Sequence, residues 1–203
     1  MNKIESFQVD HRNLLPGLYV SRKDTKDGLT ITTFDLRFTH PNREPALDGG
    51  AMHTIEHLCA TYLRNSDRRE DIVYFGPMGC RTGFYLVMFG NLCSSDVLPL
   101  VKSAFEFTAA FNGEIPGEAE AECGNYLYHD LPMARYYAKK YLDDLEKYKS
   151  IKAHVTPPMA KMMNNQCSGC FMALPLGTLR DLKSGEHMVT CDNCGRILYA
   201  KDE

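Results

Sequence analysis

Along residues 29–38, LTITTFDLRF, Phe34, Leu36 and Phe38 fall on one face of an extended chain and Thr33, Asp35 and Arg37 on the other. That two-residue period predicts a half-buried strand. GFYLVMFG (83–90) is almost continuously apolar and fits a central strand, while DIVYF (71–75) predicts a shorter one. Elsewhere the period lengthens. Val97, Val101, Ala104, Phe105 and Thr108 recur at helical spacing across 95–111, with Ser95 as a candidate cap and Asn112-Gly113 as the stop. A further amphipathic helix is predicted over about 132–149, and another from about Gly50 to Arg64. Strands and helices intermix without strict βαβ alternation, which places the chain in the α+β class. After Tyr148 the pattern fades into KSIKAHVTPPMAKMMNNQ, which has two prolines and no aromatic residue and reads as a linker. The expected organisation is a domain over 1–150, a linker over 151–165 and a small module over 166–203.

The helix around MHTIEHL (52–58) carries the first candidate chemistry. With His53 at zero on a helical wheel, His57 falls at about 40° and Glu56 at about 300°. Ile55, Leu58, Cys59 and Tyr62 gather on the opposite side. One side can therefore pack on a sheet, while the other offers two imidazoles one turn apart with a carboxylate beside them. Neutral imidazoles at i and i+4 can bind one metal ion, and a carboxylate next to a metal can act as a general base. H-x-x-E-H is also the signature of inverted zinc peptidases, which need a third ligand, usually a carboxylate. No acidic residue here sits in a telling context. Cys123, followed by Gly124 in ECGNYLYHDL, is the better candidate. Two histidines and one cysteine leave an open position on a tetrahedral ion, as a catalytic site requires; the alternative for Cys123 is a small buried side chain.

Composition narrows the setting. The 203 residues are 44% hydrophobic, enough for a core, and the net charge of −3 does not steer the whole chain toward nucleic acid or an acidic membrane surface. No apolar run approaches a membrane span, and MNKIESFQVDHR is too polar for a signal peptide, so a cytoplasmic protein is expected. Eight cysteines in a reducing compartment point to metal binding and catalysis before disulfides. Cys80, in GPMGCRTG, is expected on an accessible turn beside Arg81, where a thiol's pKa can be lowered. Cys59 on the apolar helix face and Cys93 after a buried strand are expected in the core. His40, His129 and His154 read as ordinary surface or packing residues.

ESFQVDH (5–11), FDLRF (34–38), HTIEHL (53–58), GPMGCRTGFYL (76–86) and CGNYLYHDL (123–131) occur in an order and spacing that resembles the S-ribosylhomocysteine lyase (LuxS) family across residues 1 to about 150. The resemblance implies an antiparallel sheet packed with helices and cleavage of S-ribosylhomocysteine to homocysteine and 4,5-dihydroxy-2,3-pentanedione, the autoinducer-2 precursor. It implies a divalent metal, iron(II) with zinc or cobalt as substitutes, held by His53, His57 and Cys123. Glu56 and Cys80 would be the acid/base pair, and Ser6, His11 and Arg37 would line the substrate pocket. A homodimer with active sites at the subunit interface is implied as well. Two departures bear on the pocket: Thr33 stands where many members carry lysine, and YFG (74–76) stands where they carry DIS, so Tyr74 replaces an acidic residue.

The last segment adds a pattern of its own. Cys167, Cys170, Cys191 and Cys194 make C-x2-C-x20-C-x2-C, a four-thiolate zinc pattern. A module this small has little core, so its metal would hold it together. It resembles the C4-type zinc ribbon that ends some bacterial coiled-coil proteins, with GEHMVTC and GRILYA as expected short strands. Four thiolates close the shell, so this zinc is expected to be structural, and His187 has no needed place in it. Arg180, Lys183, Arg196 and Lys201 are balanced by Asp181, Glu186, Asp192, Asp202 and Glu203. With no basic patch, the ribbon is expected to contact protein and not nucleic acid. Two rival readings remain open at this stage: an inverted-motif zinc peptidase, and a non-catalytic protein whose functional part is the ribbon.

Overall fold

The computed structural model describes residues 11, 14–154, 157–185 and 188–200. Two hairpins build the first sheet. β1 (Gly17–Lys26) pairs with β2 (Leu29–Arg37), and β3 (Ile72–Pro77) with β4 (Gly83–Phe89), in the antiparallel order β1-β2-β4-β3. β2 and the β3–β4 hairpin follow the predicted pattern. β1 was not legible from it, because seven of its ten residues are exposed and no apolar alternation is needed there. The signal that could have found it is Asp27-Gly28 at the hairpin tip, where both residues take positive φ (51° and 80°), as a two-residue turn between twisted strands demands.

Helices α1 (Gly49–Arg64), α2 (Ser94–Ala110) and α3 (Leu131–His154) cover one face of this sheet. Phe34, Leu36, Phe84, Leu86 and Met88 from the strands meet Ile55, Cys59, Val101, Phe105 and Tyr141 from the helices in one buried cluster. Removal of this apolar area from water drives the packing. Tyr141 stacks on Phe38 at 4.1 Å and donates its hydroxyl to the Gly17 carbonyl at 2.9 Å, tying α3 to both sheet edge and core. The opposite sheet face carries Thr33, Asp35 and Arg37 of β2 beside Tyr85 and Val87 of β4. It is partly open, with Tyr74 and Phe89 each more than a third exposed.

Local signals set the helix ends. Asp48 accepts the Ala51 N–H at 3.0 Å and caps α1. α2 begins one residue before the expected start, capped by Cys93 and not Ser95. The Cys93 N–H bonds Asp96 Oδ2 at 2.8 Å while its thiol faces the first turn. Cys93 is accordingly exposed and not a core residue, whereas Cys59 is fully buried as expected.

The stretch expected as a linker is not featureless. α3 runs through it to His154, and β5 (Met159–Met163) opens a second, smaller sheet with β6 (Gln166–Cys167) and β7 (Ile197–Tyr199), in the order β6-β5-β7. β5 lies parallel to β7, so the last module's sheet starts before its first cysteine. A long-range partner supplies the pairing that local sequence did not announce. α4 (Leu176–Ser184) adds Leu179 to a small core with Ala160, Leu174, Val189 and Leu198. Of the expected strand in GEHMVTC, Thr190 makes a single bridge to Ile197, and Glu186 and His187 lie outside the described residues. Among the described residues no helix is long and apolar enough to cross a membrane.

Candidate metal centres

α1 presents its apolar side to the sheet, which leaves His53, Glu56 and His57 half-buried on the side away from it. The loop between α2 and α3 then folds over the two imidazoles. Its Tyr128 carbonyl accepts from His53 Nδ1 at 2.8 Å, and its Pro116 carbonyl accepts from His57 Nδ1 at 2.7 Å. A carbonyl can only accept, so both Nδ1 atoms carry the proton and both Nε2 atoms present a lone pair. Such outer partners are what fix the tautomer of metal-binding histidines. Gly117 makes the approach possible: it sits at φ 75°, and a Cβ there would lie 3.2 Å from His57 Nδ1.

The same loop delivers Cys123. Its Sγ lies 3.3 Å from His53 Nε2 and accepts the Asn125 N–H at 3.4 Å. One ion bound by a thiolate and an imidazole at ordinary lengths sets those atoms about 3.5 Å apart. The donor set therefore fits a divalent ion. The structure adds a residue that the sequence pattern had set aside. His129 stacks on His53 at 4.1 Å and meets His57 edge-on at 4.8 Å. The donor atoms of His53, His57, Cys123 and His129 all lie within 4.8 Å of one another. His129 is half-buried, and the desolvation, with His53 and His57 nearby, holds its pKa below the usual histidine value. Its position six residues after Cys123 is the only signal that could have found it, and that spacing matches no ligand motif.

A second group forms on the other face of the sheet. Arg37 pairs with Asp35 through Nε at 3.1 Å and through Nη2, and donates Nη1 to Thr82 Oγ1. Thr82 Oγ1 in turn lies 3.1 Å from Cys80 Sγ on the β3–β4 turn. Partial burial pushes the Cys80 thiol up, but the hydrogen bonds from Thr82 and the Arg37 guanidinium outweigh it and bring the pKa below the ordinary thiol value. Burial raises Asp35 against the pull of Arg37 and of His11, whose charge reaches it. Arg37, Cys80 and His11 are thus gathered, while Ser6 lies outside the described residues. Tyr74 lies on the same face, across Gly76, where a Cβ would collide with its hydroxyl at 1.9 Å. The tyrosine at 74 thus depends on the glycine at 76.

In the third group Cys167 Sγ lies 3.7 Å from Cys194 Sγ, and Cys170 Sγ 3.6 Å from Cys191 Sγ. A tetrahedron with zinc–thiolate bonds has edges of about 3.8 Å, so the four sulfurs fit a zinc ion. Both knuckles close alike: the Phe171 N–H bonds the Cys167 carbonyl at 2.7 Å, and the Gly195 N–H bonds the Cys191 carbonyl at 2.8 Å. Partial desolvation pushes Cys194 up, but hydrogen bonds from Arg196 and from the Cys170 and Cys191 thiols bring it down to about 6. A thiolate is therefore available there at neutral pH.

An α+β domain with a mixed histidine–cysteine cluster, joined to a small four-cysteine module, defines a class: a protein with two groups of metal-ligating side chains of different kinds. Comparison with known proteins gives the family. The family model described as S-Ribosylhomocysteinase (LuxS) matches residues 4–152, and that of a C4-type zinc ribbon domain matches residues 166–198. A protein named S-ribosylhomocysteine lyase from Phocaeicola vulgatus is 58% identical over 146 residues, covering 71% of this chain and 91% of that protein. Proteins of the same name from Finegoldia magna and Borreliella afzelii are each 52% identical, covering 73% of this chain and 95% and 96% of theirs. The chain belongs to the S-ribosylhomocysteinase (LuxS) family.

Proposed function

We propose that this chain is a metal-dependent carbon–sulfur lyase that cleaves the thioether of S-ribosylhomocysteine to homocysteine and 4,5-dihydroxy-2,3-pentanedione. The observation that carries the reading is the donor set itself: two imidazole Nε2 atoms and one cysteine sulfur converge, one donor short of a tetrahedral shell, with Glu56 next to them on α1. His53, His57 and Cys123 hold the ion, taken to be iron(II), for which zinc or cobalt can stand in. An ion bound there supplies Lewis acidity toward the oxygen on which negative charge develops.

The chain's own residues move the protons. The ring-opened sugar bears its carbonyl at C1, and the sulfur leaves from C5. Breaking the C5–S bond by elimination requires a carbonyl at C3, so that the proton on C4 becomes acidic. Two successive isomerisations through enediolates bring the carbonyl there. In each, a base removes a proton from the carbon next to the carbonyl, and an acid returns one to the former carbonyl carbon. Glu56 and Cys80 are assigned these roles, one on each side of the sugar. The lowered Cys80 thiol suits it, because a thiolate is the basic form. Removal of the C4 proton then expels the homocysteine thiolate as the C4–C5 double bond forms. Ser6, His11 and Arg37 are assigned to hold the sugar. No water attacks, so a peptidase reading has no use for Cys80 and lacks its carboxylate ligand.

The layering supports a homodimer with shared active sites. His53, Glu56 and His57 lie on the side of α1 away from the sheet, and Cys80 with Arg37 lies on the sheet's far face. A closed core separates the two groups in one chain, so a second copy must bring them together. The ribbon carries a structural zinc and contacts another protein. The lyase domain is taken to end with α3 at His154 and the ribbon module to begin with β5 at Met159, inside the stretch expected as a linker, and the thiols suit a cytoplasmic setting.

The test uses two inactive variants. Glu56→Gln and Cys80→Ala homodimers, each loaded with iron or cobalt, should release almost no thiol from S-ribosylhomocysteine. Dimers reassembled from an equal mixture should recover about a quarter of wild-type activity, because half are mixed and each mixed dimer holds one intact site. Recovery at the level of the parents would refute shared sites, and a wild-type protein releasing no thiol would refute the lyase.

A further inference from the structure

The hydrogen bonds around His129 fix where its lone pair points. Thr54 Oγ1 donates its one proton to the Gly50 carbonyl at 2.9 Å and accepts the Asp130 N–H at 3.0 Å. Toward His129 Nδ1, 3.2 Å away, it can only accept. His129 therefore carries its proton on Nδ1, and Nε2 bears the lone pair. That Nε2 is buried and has no hydrogen-bond partner among the described residues. A buried acceptor left alone beside a candidate metal site calls for a partner.

The ion is not that partner in this arrangement. The rings of His53 and His57 stand at 89°, so their in-plane lone pairs can converge on one point. The rings of His53 and His129 differ by only 15°, with centroids 4.1 Å apart. Lone pairs of two stacked, nearly parallel rings run side by side and do not converge on one point at the roughly 2.0–2.1 Å that each imidazole–metal bond requires. A ligand role would need His129 to turn, against both its stack and its Thr54 bond.

We propose that His129 is a positioning residue for the substrate: its Nε2 accepts a hydrogen bond from a sugar hydroxyl entering the open side of the His53–His57–Cys123 site. This rests on the lyase reading, which supplies a polyhydroxylated substrate. A hydroxyl held between this acceptor and the donor triad is fixed in direction, which selects the sugar oxygen presented for reaction.

The experiment uses the full chain with zinc in the four-cysteine site and cobalt in the histidine site, and reads the cobalt absorption bands during titration with S-ribosylhomocysteine. Asparagine at 129 keeps a group at the Nδ1 position but none at Nε2, whereas glutamine places its amide at the Nε2 position. His129→Asn should keep one cobalt per chain with unmoved resting bands, and should need about tenfold more substrate for the same spectral change, the scale of one lost hydrogen bond. His129→Gln should recover most of that loss. Loss of cobalt or shifted resting bands in His129→Asn would make His129 a ligand and overturn the proposal. So would equal weakening in both variants, which marks a packing role, or wild-type titration in both. Wild-type bands that ignore the substrate would refute the lyase reading itself, and this proposal with it.

Discussion

The two metal centres are built by opposite means. In the ribbon, four donors of one kind come from two tight turns, the members of each pair three residues apart, and they close a shell around the ion. In the lyase domain, two donors come from one turn of α1 and the third arrives from a loop seventy residues on, and three donors leave one position of a tetrahedral ion unfilled. A closed shell of identical donors saturates the ion and leaves it nothing to do except hold the backbone. An open, mixed shell holds the ion less completely and keeps a place for substrate. Their footing in the protein also differs: the ribbon stands on a small core, which a bound metal would hold together, while the histidine site stands on a much larger one.

This contrast can be broken or sharpened by experiment. The largest effect is expected from Cys191→Ser, which leaves a buried three-thiolate site. The ribbon should lose its zinc and hydrogen-exchange protection across 159–199, with most of a binding free energy on the order of 10 kcal/mol forfeited, while 17–145 stays protected. His57→Ala should do the reverse. The histidine-site ion should be lost and thiol release should fall about a thousandfold, a few kcal/mol of transition-state stabilisation, with the ribbon zinc and the melting of the lyase core little changed. If that core unfolded, the supposed independence from metal would be wrong.

The smaller effects concern single groups. The Cys80 thiol lies below its ordinary range, so its thiolate persists to lower pH than a free cysteine's. Iodoacetamide labelling of Cys80, followed by mass spectrometry, should reach its half-maximal rate below the usual thiol value. Thr82→Val, which deletes a stabilising hydroxyl, should move that point upward. A half-point at or above the ordinary thiol value would remove the argument for Cys80 as a base. Within the ribbon, the two knuckles differ at the residue after the second cysteine. Gly195 takes φ 70° without strain, while Phe171 is held at φ 59°, a region that L side chains occupy at a cost. Phe171→Gly should stabilise the first knuckle by about 0.5–1 kcal/mol, seen as slower zinc release to a chelator. No gain would show that the exposed Phe171 ring contributes contacts that offset its strained backbone.

Legibility followed the range of the interactions. β2 and β4, α1 and α2 announced themselves because burial on one face imposes a period on consecutive residues. β1 and β5 did not, since an exposed edge strand and a strand completed by a distant partner need no such period. The four-cysteine site and the His53–Glu56–His57 face were legible from residue spacing alone, because both depend on spacing within one or two turns of backbone. Cys123 and Cys80 stood out through their glycine-rich surroundings and the family resemblance. That Cys123 reaches His53, and that Tyr128 and Pro116 orient the imidazoles, follows from packing between distant segments. Packing alone placed His129, whose Nε2 has no hydrogen-bond partner among the described residues, beside the site, and set Cys80 across the core from Glu56. Those relations join segments far apart in the chain, and hydrophobic packing, not local spacing, sets the distances between them.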